Sequence, residues 1–204
     1  MQPATVTAGI PPRHTMPIRR RAASGGKPQT KEKQIFPLRG LRFVLTLHTL
    51  KEISMTTAEQ QKADEMYMRK ALAEAEEALD AGEIPVGAIV VCGGKIIART
   101  HNLTETLRDV TAHAEMQAIT AAANTLGGKY LADCTLYVTV EPCVMCAGAI
   151  GWAQVRRVVY GADDEKRGYT RLAPGALHPK ATVTKGVLAD ECARLMKEFF
   201  AARR

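Results

Sequence analysis

Two short segments of the sequence contain residue types that bind metal ions. They are His113-Ala114-Glu115 and Pro142-Cys143-Val144-Met145-Cys146. Positions i and i+3 are neighbours on a helix, so the sulfurs of Cys143 and Cys146 can face one ion. His113 would supply a third ligand, and three protein ligands with one open position are typical of a catalytic zinc site. The sequence therefore predicts one Zn²⁺ per subunit, bound by His113, Cys143 and Cys146.

Glu115 is predicted to transfer protons rather than to bind the metal. Positions i and i+2 lie roughly 200° apart on a helix, so His113 and Glu115 are not side-by-side ligands in a regular helix. A carboxylate that faces the open position can take a proton from a water molecule whose pKa the metal lowers, and can then deliver it. The order H-x-E followed by P-C-x-x-C is the signature of zinc deaminases that act on nucleobases.

Each motif by itself is less specific than the two together. A lone C-x-x-C also fits a redox dithiol, half of a structural zinc site, or two thiols packed in a core. Here both motifs occur in the required order, and each opens a predicted helix. Free backbone N–H groups and the helix dipole stabilise a thiolate at such a position. The combination therefore favours a catalytic zinc site.

Hydrophobic spacing predicts the elements that must position these residues. Thr56 and Glu59 have the spacing of a capping box, and apolar residues then recur at helical spacing until Gly82 and Pro85. Further helices are predicted at 113–126, 143–152 and 190–202, and strands at 86–92, from 95 onward, and at 135–140, 155–160 and 182–184. Strands that alternate with helices predict an α/β fold with three α/β/α layers and a mixed five-stranded sheet.

The charge of the 204-residue chain is unevenly distributed, although its net value is +7. Residues 1–54 contain ten Lys or Arg residues and two acids, whereas residues 55–204 contain 18 bases and 19 acids. Global charge therefore gives no support for nucleic acid binding by residues 55–204, and only a local basic patch could provide it. Residues 55–204 are predicted to form the folded domain.

Residues 1–54 are predicted to be a basic, disordered N-terminal extension, because their composition buries too little apolar surface to offset chain entropy. Two other interpretations stay open. The segment could result from a mis-assigned start, since Met55 directly precedes a good helix start. It could also be a targeting presequence, since it is rich in Arg and poor in acids.

The cysteines and the hydropathy pattern bear on the cellular setting. Five cysteines, an odd number, are spread over a domain-sized chain, which does not match the disulfide framework of a small secreted protein. A reducing, cytoplasmic setting is therefore expected. No apolar run reaches the roughly 18 residues that a membrane-spanning helix needs, so no membrane partner is expected.

The segment from Asp64 to Arg204 resembles the bacterial tRNA-specific adenosine deaminases of the cytidine deaminase-like superfamily. The matching strings are EIPVGA at 83–88, TAHAE at 111–115, EPCVMCAGAI at 141–150, GADD at 161–164 and GVLADEC at 186–192. The resemblance implies the cytidine deaminase-like fold and hydrolysis of the wobble adenosine of an arginine tRNA to inosine. It also implies a homodimer in which both subunits hold the tRNA anticodon stem-loop.

The same resemblance implies roles for residues outside the two motifs. Asn102 is similar to a residue that holds the target nucleoside, and Asp164 matches a position near its sugar. The last helix is expected to meet the anticodon loop through Phe200, Arg203 and Arg204. For the two motifs, the resemblance implies the same metal ligands and the same proton shuttle as the spacing does.

Two other functions stay open at this point. A deaminase of a free base or nucleoside, of the guanine or cytosine type, shares the zinc chemistry and so has the same core motif. A non-catalytic, zinc-stabilised partner subunit is the second alternative, and it predicts a missing or replaced shuttle carboxylate. Glu115 is present, and a deamination assay with both kinds of substrate separates the three functions.

Overall fold

The structure is a computed structural model that describes residues 57–203. The predictions made for residues 1–54 and for Arg204 lie outside the described residues. Residues 57–203 form six helices and five strands. The helices are α1 (Thr57–Asp80), α2 (Thr104–Leu107), α3 (Ala114–Leu126), α4 (Val144–Trp152), α5 (Tyr169–Leu172) and α6 (Ala189–Ala201). The strands are β1 (Gly87–Cys92), β2 (Lys95–His101), β3 (Cys134–Val140), β4 (Arg157–Ala162) and β5 (Thr182–Lys185).

The strands form one mixed sheet in the order β2-β1-β3-β4-β5. Strand β1 runs antiparallel to β2 and β3, whereas β3, β4 and β5 run parallel to one another. In this register Gly87 pairs with His101, and Val140 pairs with Ala162. The start of β1 and the ends of β2, β3 and β4 therefore lie at one edge of the sheet.

Helices cover both faces of the sheet, because successive side chains of a strand point to opposite sides. On one face, Ile89 and Tyr137 pack against α1 and α6 in a buried apolar cluster. On the other face, Val90 and Leu136 pack in a cluster that includes residues of α3 and α4. The three α/β/α layers and the mixed five-stranded sheet predicted from the sequence are confirmed.

Helix α1 lies directly on β1 because Gly87 has no side chain. A Cβ atom at Gly87 would lie 2.1 Å from the Ala71 carbonyl oxygen and 2.4 Å from the Ala75 nitrogen. Any larger residue would push α1 away from the sheet. The start of β1 is thereby fixed against the C-terminal half of α1.

Local differences from the predicted elements have simple causes. Strand β4 begins two residues later than predicted because a turn follows the end of α4 at Trp152, and in it the Val155 N–H donates to the Ile150 carbonyl at 3.2 Å. Helices α2 and α5 are missing from the prediction because four residues are too few to produce a periodic pattern. Within residues 57–203, no helix has both the length and the apolar character needed to cross a bilayer.

Candidate metal centre

The sheet edge described above brings together segments that are distant in sequence. Asn102 follows β2, Cys143 follows β3, and Asp164 follows β4. The Thr100 hydroxyl of β2 donates to the Ala114 carbonyl at 2.8 Å, which attaches the start of α3 to the same edge. Functional residues commonly lie at the carboxyl ends of strands in α/β sheets, and the segments with the predicted ligands meet there.

His113 and Cys143 are the N-cap residues of α3 and α4. Their backbones are extended, with φ and ψ of −67° and 154° for His113 and of −71° and 172° for Cys143. Neither side chain forms a capping hydrogen bond, so both are available for other partners. Cys146 lies one turn into α4 and is fully buried.

The three predicted ligands converge with a spacing that fits zinc. The His113 Nδ1 atom lies 3.7 Å from the Cys143 sulfur and 3.5 Å from the Cys146 sulfur. With Zn–N near 2.0 Å and Zn–S near 2.3 Å, a tetrahedral site has N···S edges of about 3.6 Å. All three ligand atoms lie within 4.8 Å of one another. Among the described residues, no other three side chains of His, Cys, Asp or Glu bring their ligand atoms this close together.

The two thiols of the cluster differ in acidity. Hydrogen bonds from Cys146 and His113 lower the pKa of Cys143 to about 4, although burial opposes this shift. The hydrogen bond with Cys143, together with burial, raises the pKa of Cys146. The cluster therefore favours one thiolate before any cation binds, and a divalent ion would favour loss of the second proton.

Glu115 lies in the first turn of α3 and is only 4 % exposed. Burial raises the pKa of its carboxyl, and the neighbouring Cys143 sulfur raises it further. The same carboxyl interacts with the Cys146 thiol and with His113. A buried carboxylate with a raised pKa beside a metal-binding cluster is suited to accept and donate protons near neutral pH.

Asn102 is buried at the end of β2, close to the start of α3. Its neighbour Leu103 donates its N–H to the Ala112 carbonyl at 3.0 Å, one residue before His113. The Asn102 amide nitrogen lies 2.9 Å from both the Glu83 carboxylate and the Thr104 hydroxyl. The structure thus places Asn102 near the cluster and its amide in a buried polar network.

Asp164 lies in a loop that is attached to the Cys143 segment. Its Oδ1 atom accepts hydrogen bonds from the N–H groups of Lys166 and Arg167, each at 3.0 Å. Farther along the same loop, Gly168 pairs with Cys143 in an antiparallel bridge. Asp164 therefore lies in the same region as the cluster, with one carboxylate oxygen used by its own loop.

Two buried glutamates that were not predicted from the sequence, Glu83 and Glu141, fix the segments around the cluster. Glu141 accepts hydrogen bonds from the Asp164 N–H at 3.0 Å, the Thr170 N–H at 3.0 Å and the Thr170 hydroxyl at 2.6 Å. Glu83 accepts hydrogen bonds from the Asn102 amide and from the N–H groups of Glu105 and Thr106 in α2. Glu141 directly precedes Pro142 after β3, and Glu83 lies two residues before Pro85, ahead of β1. An acid beside a proline at a strand boundary is a local signal that could have indicated both residues.

The residues predicted at the end of the last helix have mixed placements. Phe200 is 49 % exposed, and its ring packs edge-on against the buried Phe199 with 5.3 Å between the centroids. The Arg203 guanidinium stacks 4.0 Å from the Phe199 ring centroid and donates to the Gly82 carbonyl. Its contact with RNA stays a prediction, and Arg204 is outside the described residues.

Comparisons with known proteins identify related sequences. Residues 62–204 match the MafB19-like deaminase family. The chain is 46 % identical over 142 residues to a tRNA-specific adenosine deaminase of Bacillus subtilis, covering 67 % of this chain and 88 % of that protein. It is 47 % identical over 167 residues to a chloroplastic tRNA(adenine(34)) deaminase of Arabidopsis thaliana, which covers 72 % of this chain. The chain spans only 13 % of that plant protein.

Two solved structures with a similar fold are relevant to the choice of substrate. One comes from a study of A-to-I editing by tRNA:A34 deaminases at the wobble position of transfer RNA. Its TM-score is 0.60 at 42 % identity, over 64 % of this chain and 98 % of the other. The other is a guanine deaminase from Nitrosomonas europaea, with a TM-score of 0.61 at 30 % identity over 67 % of this chain and 84 % of the other.

Proposed function

This chain belongs to the tRNA-specific adenosine deaminases and has their cytidine deaminase-like fold, and we propose that it converts the wobble adenosine of an arginine tRNA anticodon to inosine. The reaction is inferred from the relatives, and the residues assigned to it are those of the cluster at the sheet edge. The observation that supports it most directly is the buried Glu115 carboxyl beside a His-Cys-Cys cluster with the edge lengths of a tetrahedral zinc site.

The residues of the cluster have different proposed roles in the reaction. We propose that His113 Nδ1, Cys143 Sγ and Cys146 Sγ hold one zinc ion, which when bound supplies Lewis-acid activation of water. The Glu115 carboxylate takes a proton from the attacking water and delivers it to the ring nitrogen N1. With the oxygen bonded to C6, Glu115 takes the remaining proton of that hydroxyl and gives it to the amino group, so the C6–N bond breaks, ammonia leaves and a C6 carbonyl remains.

The substrate must reach this buried site from a single-stranded loop. A base in an anticodon loop can be turned out of its stack at low cost, which makes such loops accessible to enzymes that act on one base. We propose that Asn102 holds the extruded nucleoside and that Asp164 lies near its sugar. Phe200, Arg203 and Arg204 are proposed to contact the loop around it, where an exposed ring such as that of Phe200 can stack on a neighbouring base.

A deamination assay on three substrates tests this function. The full chain is incubated with an arginine tRNA anticodon stem-loop, with guanine and with cytidine, and a second preparation starts at Met55. We expect inosine at the wobble position from both preparations, since residues 55–204 are proposed to form the whole deaminase domain. Turnover of guanine with an unchanged stem-loop would instead support the free-base alternative, which is consistent with the structural similarity to a guanine deaminase. Zinc binding without any turnover would support a partner subunit.

We also propose that a second copy of the chain covers the outer face of α4. Val144, Met145 and Trp152 lie on this face and are 41 %, 36 % and 86 % exposed. A Cβ atom at Gly148, on the same face, would meet nothing within 4 Å. Apolar surface of this kind beside a functional site is typical of a subunit interface, and a dimer would place both subunits close to each anticodon loop.

The dimer is tested by replacing Trp152 with arginine. We expect wild-type protein to sediment as a dimer at micromolar concentration and Trp152→Arg to sediment as a monomer. Met66→Arg is the matched control, because Met66 is also exposed but lies on α1. Dissociation by both variants, or by neither, would contradict an interface on α4.

A further inference from the structure

The buried carboxylate of Glu83 accepts hydrogen bonds from four donors in the segment that follows β2. Glu83 is fully buried and precedes β1. Its Oε2 atom accepts from the Asn102 amide at 2.9 Å, the Glu105 N–H at 3.1 Å and the Thr104 hydroxyl at 3.3 Å. Its Oε1 atom accepts from the Thr106 N–H at 2.7 Å. Every partner is a donor, so the group acts only as an acceptor.

The ionised form of Glu83 is the one that this environment favours. Burial alone raises the pKa of a carboxyl, but the N–H groups of Thr106 and Glu105 and the Thr104 hydroxyl hold the pKa of Glu83 below its ordinary value. A carboxylate in this state has no proton to donate. No Lys, Arg or His among residues 57–203 forms a salt bridge with it.

This acceptor fixes which end of the Asn102 amide faces it. Asn102 must turn its NH₂ group towards Glu83, because its carbonyl oxygen would repel the carboxylate. The Thr104 hydroxyl gives its proton to Glu83 and therefore accepts from the same NH₂ group, at 2.9 Å. Both amide hydrogens are thus used, and the Asn102 oxygen accepts no hydrogen bond from the described residues.

We infer that Glu83 is a positioning residue, which turns the Asn102 amide so that its oxygen accepts a hydrogen bond from the target nucleoside. The inference rests on the proposed function. Asn102 stands where β2 ends, and its neighbour Leu103 is bonded to Ala112, which directly precedes His113. Asn102 therefore lies close to the segment that leads into the metal cluster, and Glu83 acts on the substrate only through Asn102.

A double-mutant cycle separates this role from a merely structural one. Glu83→Gln keeps the shape but introduces an NH₂ group, which meets either the Asn102 NH₂ or the Thr106 N–H. Asn102 must then rotate or lose its partner. Asn102→Asp together with Glu83→Gln restores complementarity, because the NH₂ group introduced at position 83 can donate to one oxygen of the new carboxylate and leave the other as an acceptor.

The four proteins are assayed for inosine formation in the stem-loop under kcat/KM conditions, with melting temperature and zinc content measured in parallel. We expect Glu83→Gln to lower kcat/KM roughly tenfold to hundredfold, which is the effect of one misdirected hydrogen bond. Asn102→Asp alone is expected to be at least as poor, since two carboxylates then face each other. The double variant should exceed both single variants, and its zinc content should equal that of wild type.

Two controls complete the experiment. Glu105→Gln makes the same chemical change on an exposed side chain of α2, the helix that contacts Glu83. It should leave kcat/KM unchanged. In an Asn102→Ala background, Glu83→Gln should change kcat/KM less than twofold. The positioning role would be overturned if Glu83→Gln lowered kcat/KM as much in the Asn102→Ala background as in wild type. It would also be overturned if the kcat/KM of the double variant lay below that of both single variants. In either case, inosine formation by wild-type protein would still uphold the proposed function. Absence of inosine with wild-type protein would overturn both.

Discussion

The two faces of the sheet bury carboxylates in different ways. On the face covered by α1, here called the ion-pair face, the Asp64 carboxylate receives two hydrogen bonds of 2.7 Å from Arg157. The Tyr137 hydroxyl and the Gln60 amide each donate to it at 2.9 Å. On the face covered by α3 and α4, here called the site face, Glu115 is equally buried. No Lys or Arg of the described residues forms a salt bridge with it.

This difference separates stability from chemistry. A buried charge is costly unless it is paired and hydrogen-bonded. Hydrogen bonds from its partners offset this cost for Asp64 and lower its pKa. Burial raises the pKa of Glu115, which lies beside the metal cluster. The carboxylate of the ion-pair face should therefore control folding without affecting turnover, and the carboxylate of the site face should control turnover without supporting the fold. Four predictions test this separation.

The largest effect is expected from loss of a metal ligand. Cys146→Ser should reduce bound zinc from one ion per chain to near zero and reduce inosine formation below detection, because two protein ligands hold zinc far more weakly than three. Treatment of wild-type protein with a chelator should have the same effect, reversed by added zinc. Metal analysis and the stem-loop assay measure both. Cys92→Ser is the control, and loss of zinc from that variant as well would contradict the assigned ligand set.

Glu115→Gln should give the next largest effect. We expect kcat to fall by about 10²- to 10⁴-fold, the usual contribution of a general acid–base group, while zinc content stays at one per chain. The melting temperature should not fall, because burial opposes ionisation of this carboxyl. Single-turnover inosine formation and calorimetry are the measurements. Near-normal turnover in this variant would remove Glu115 from the mechanism.

Asp64→Ala should affect the fold and leave the chemistry intact. It removes one partner of a buried pair, leaves Tyr137 without its acceptor and leaves Arg157 with only the Thr184 hydroxyl, so the free energy of unfolding should fall by about 3 kcal/mol. This is the lower end of the range for buried pairs, since Arg157 is 20 % exposed. Denaturant titration measures the loss. The kcat of the folded fraction should match wild type, and a drop comparable to that of Glu115→Gln would invalidate the separation.

The smallest effect is the pH dependence of stability on the ion-pair face. Burial raises the pKa of Asp64, but the bonds from Arg157, Tyr137 and Gln60 outweigh it, and the net pKa lies below the ordinary 3.8. A lowered folded pKa contributes stability that is present above about pH 4 and lost as the pH falls through the folded value. Unfolding followed from pH 6 to pH 2 should therefore show a shallower acid loss for Asp64→Asn than for wild type. Parallel curves would contradict this role.

The sequence predicted the elements with long periodic patterns and missed the single-turn helices. Strand β3 was predicted within one residue because a run of β-branched and aromatic residues is a strong local signal. Helices α3 and α4 were predicted one residue early, since their first predicted residues, His113 and Cys143, are N-caps with extended backbones. Whether a residue is the cap or the first helical residue depends on φ and ψ, which the residue type does not fix.

The convergence of the predicted site residues could be expected only in part. The i, i+3 spacing of Cys143 and Cys146 is local, and so their proximity follows from a single helix. The pairing of either sulfur with His113, 30 residues or more away, depends on the register of β1 with β2 and β3. The roles assigned to Asn102, Asp164 and Phe200 came from family resemblance and stay predictions.

The sequence by itself determined the chemical types at the site: one imidazole, two thiols and one carboxylate, each next to a helix start. These are properties of residue identity and short spacing. Only the tertiary structure decided that Nδ1 of His113 faces the sulfurs, and that Glu115 is buried with no Lys or Arg among residues 57–203 in a salt bridge with it. It also decided that Glu83 contacts the amide of Asn102 across 19 positions. Such facts depend on burial and on contacts between distant segments, which arise only when the sheet aligns the ends of its strands.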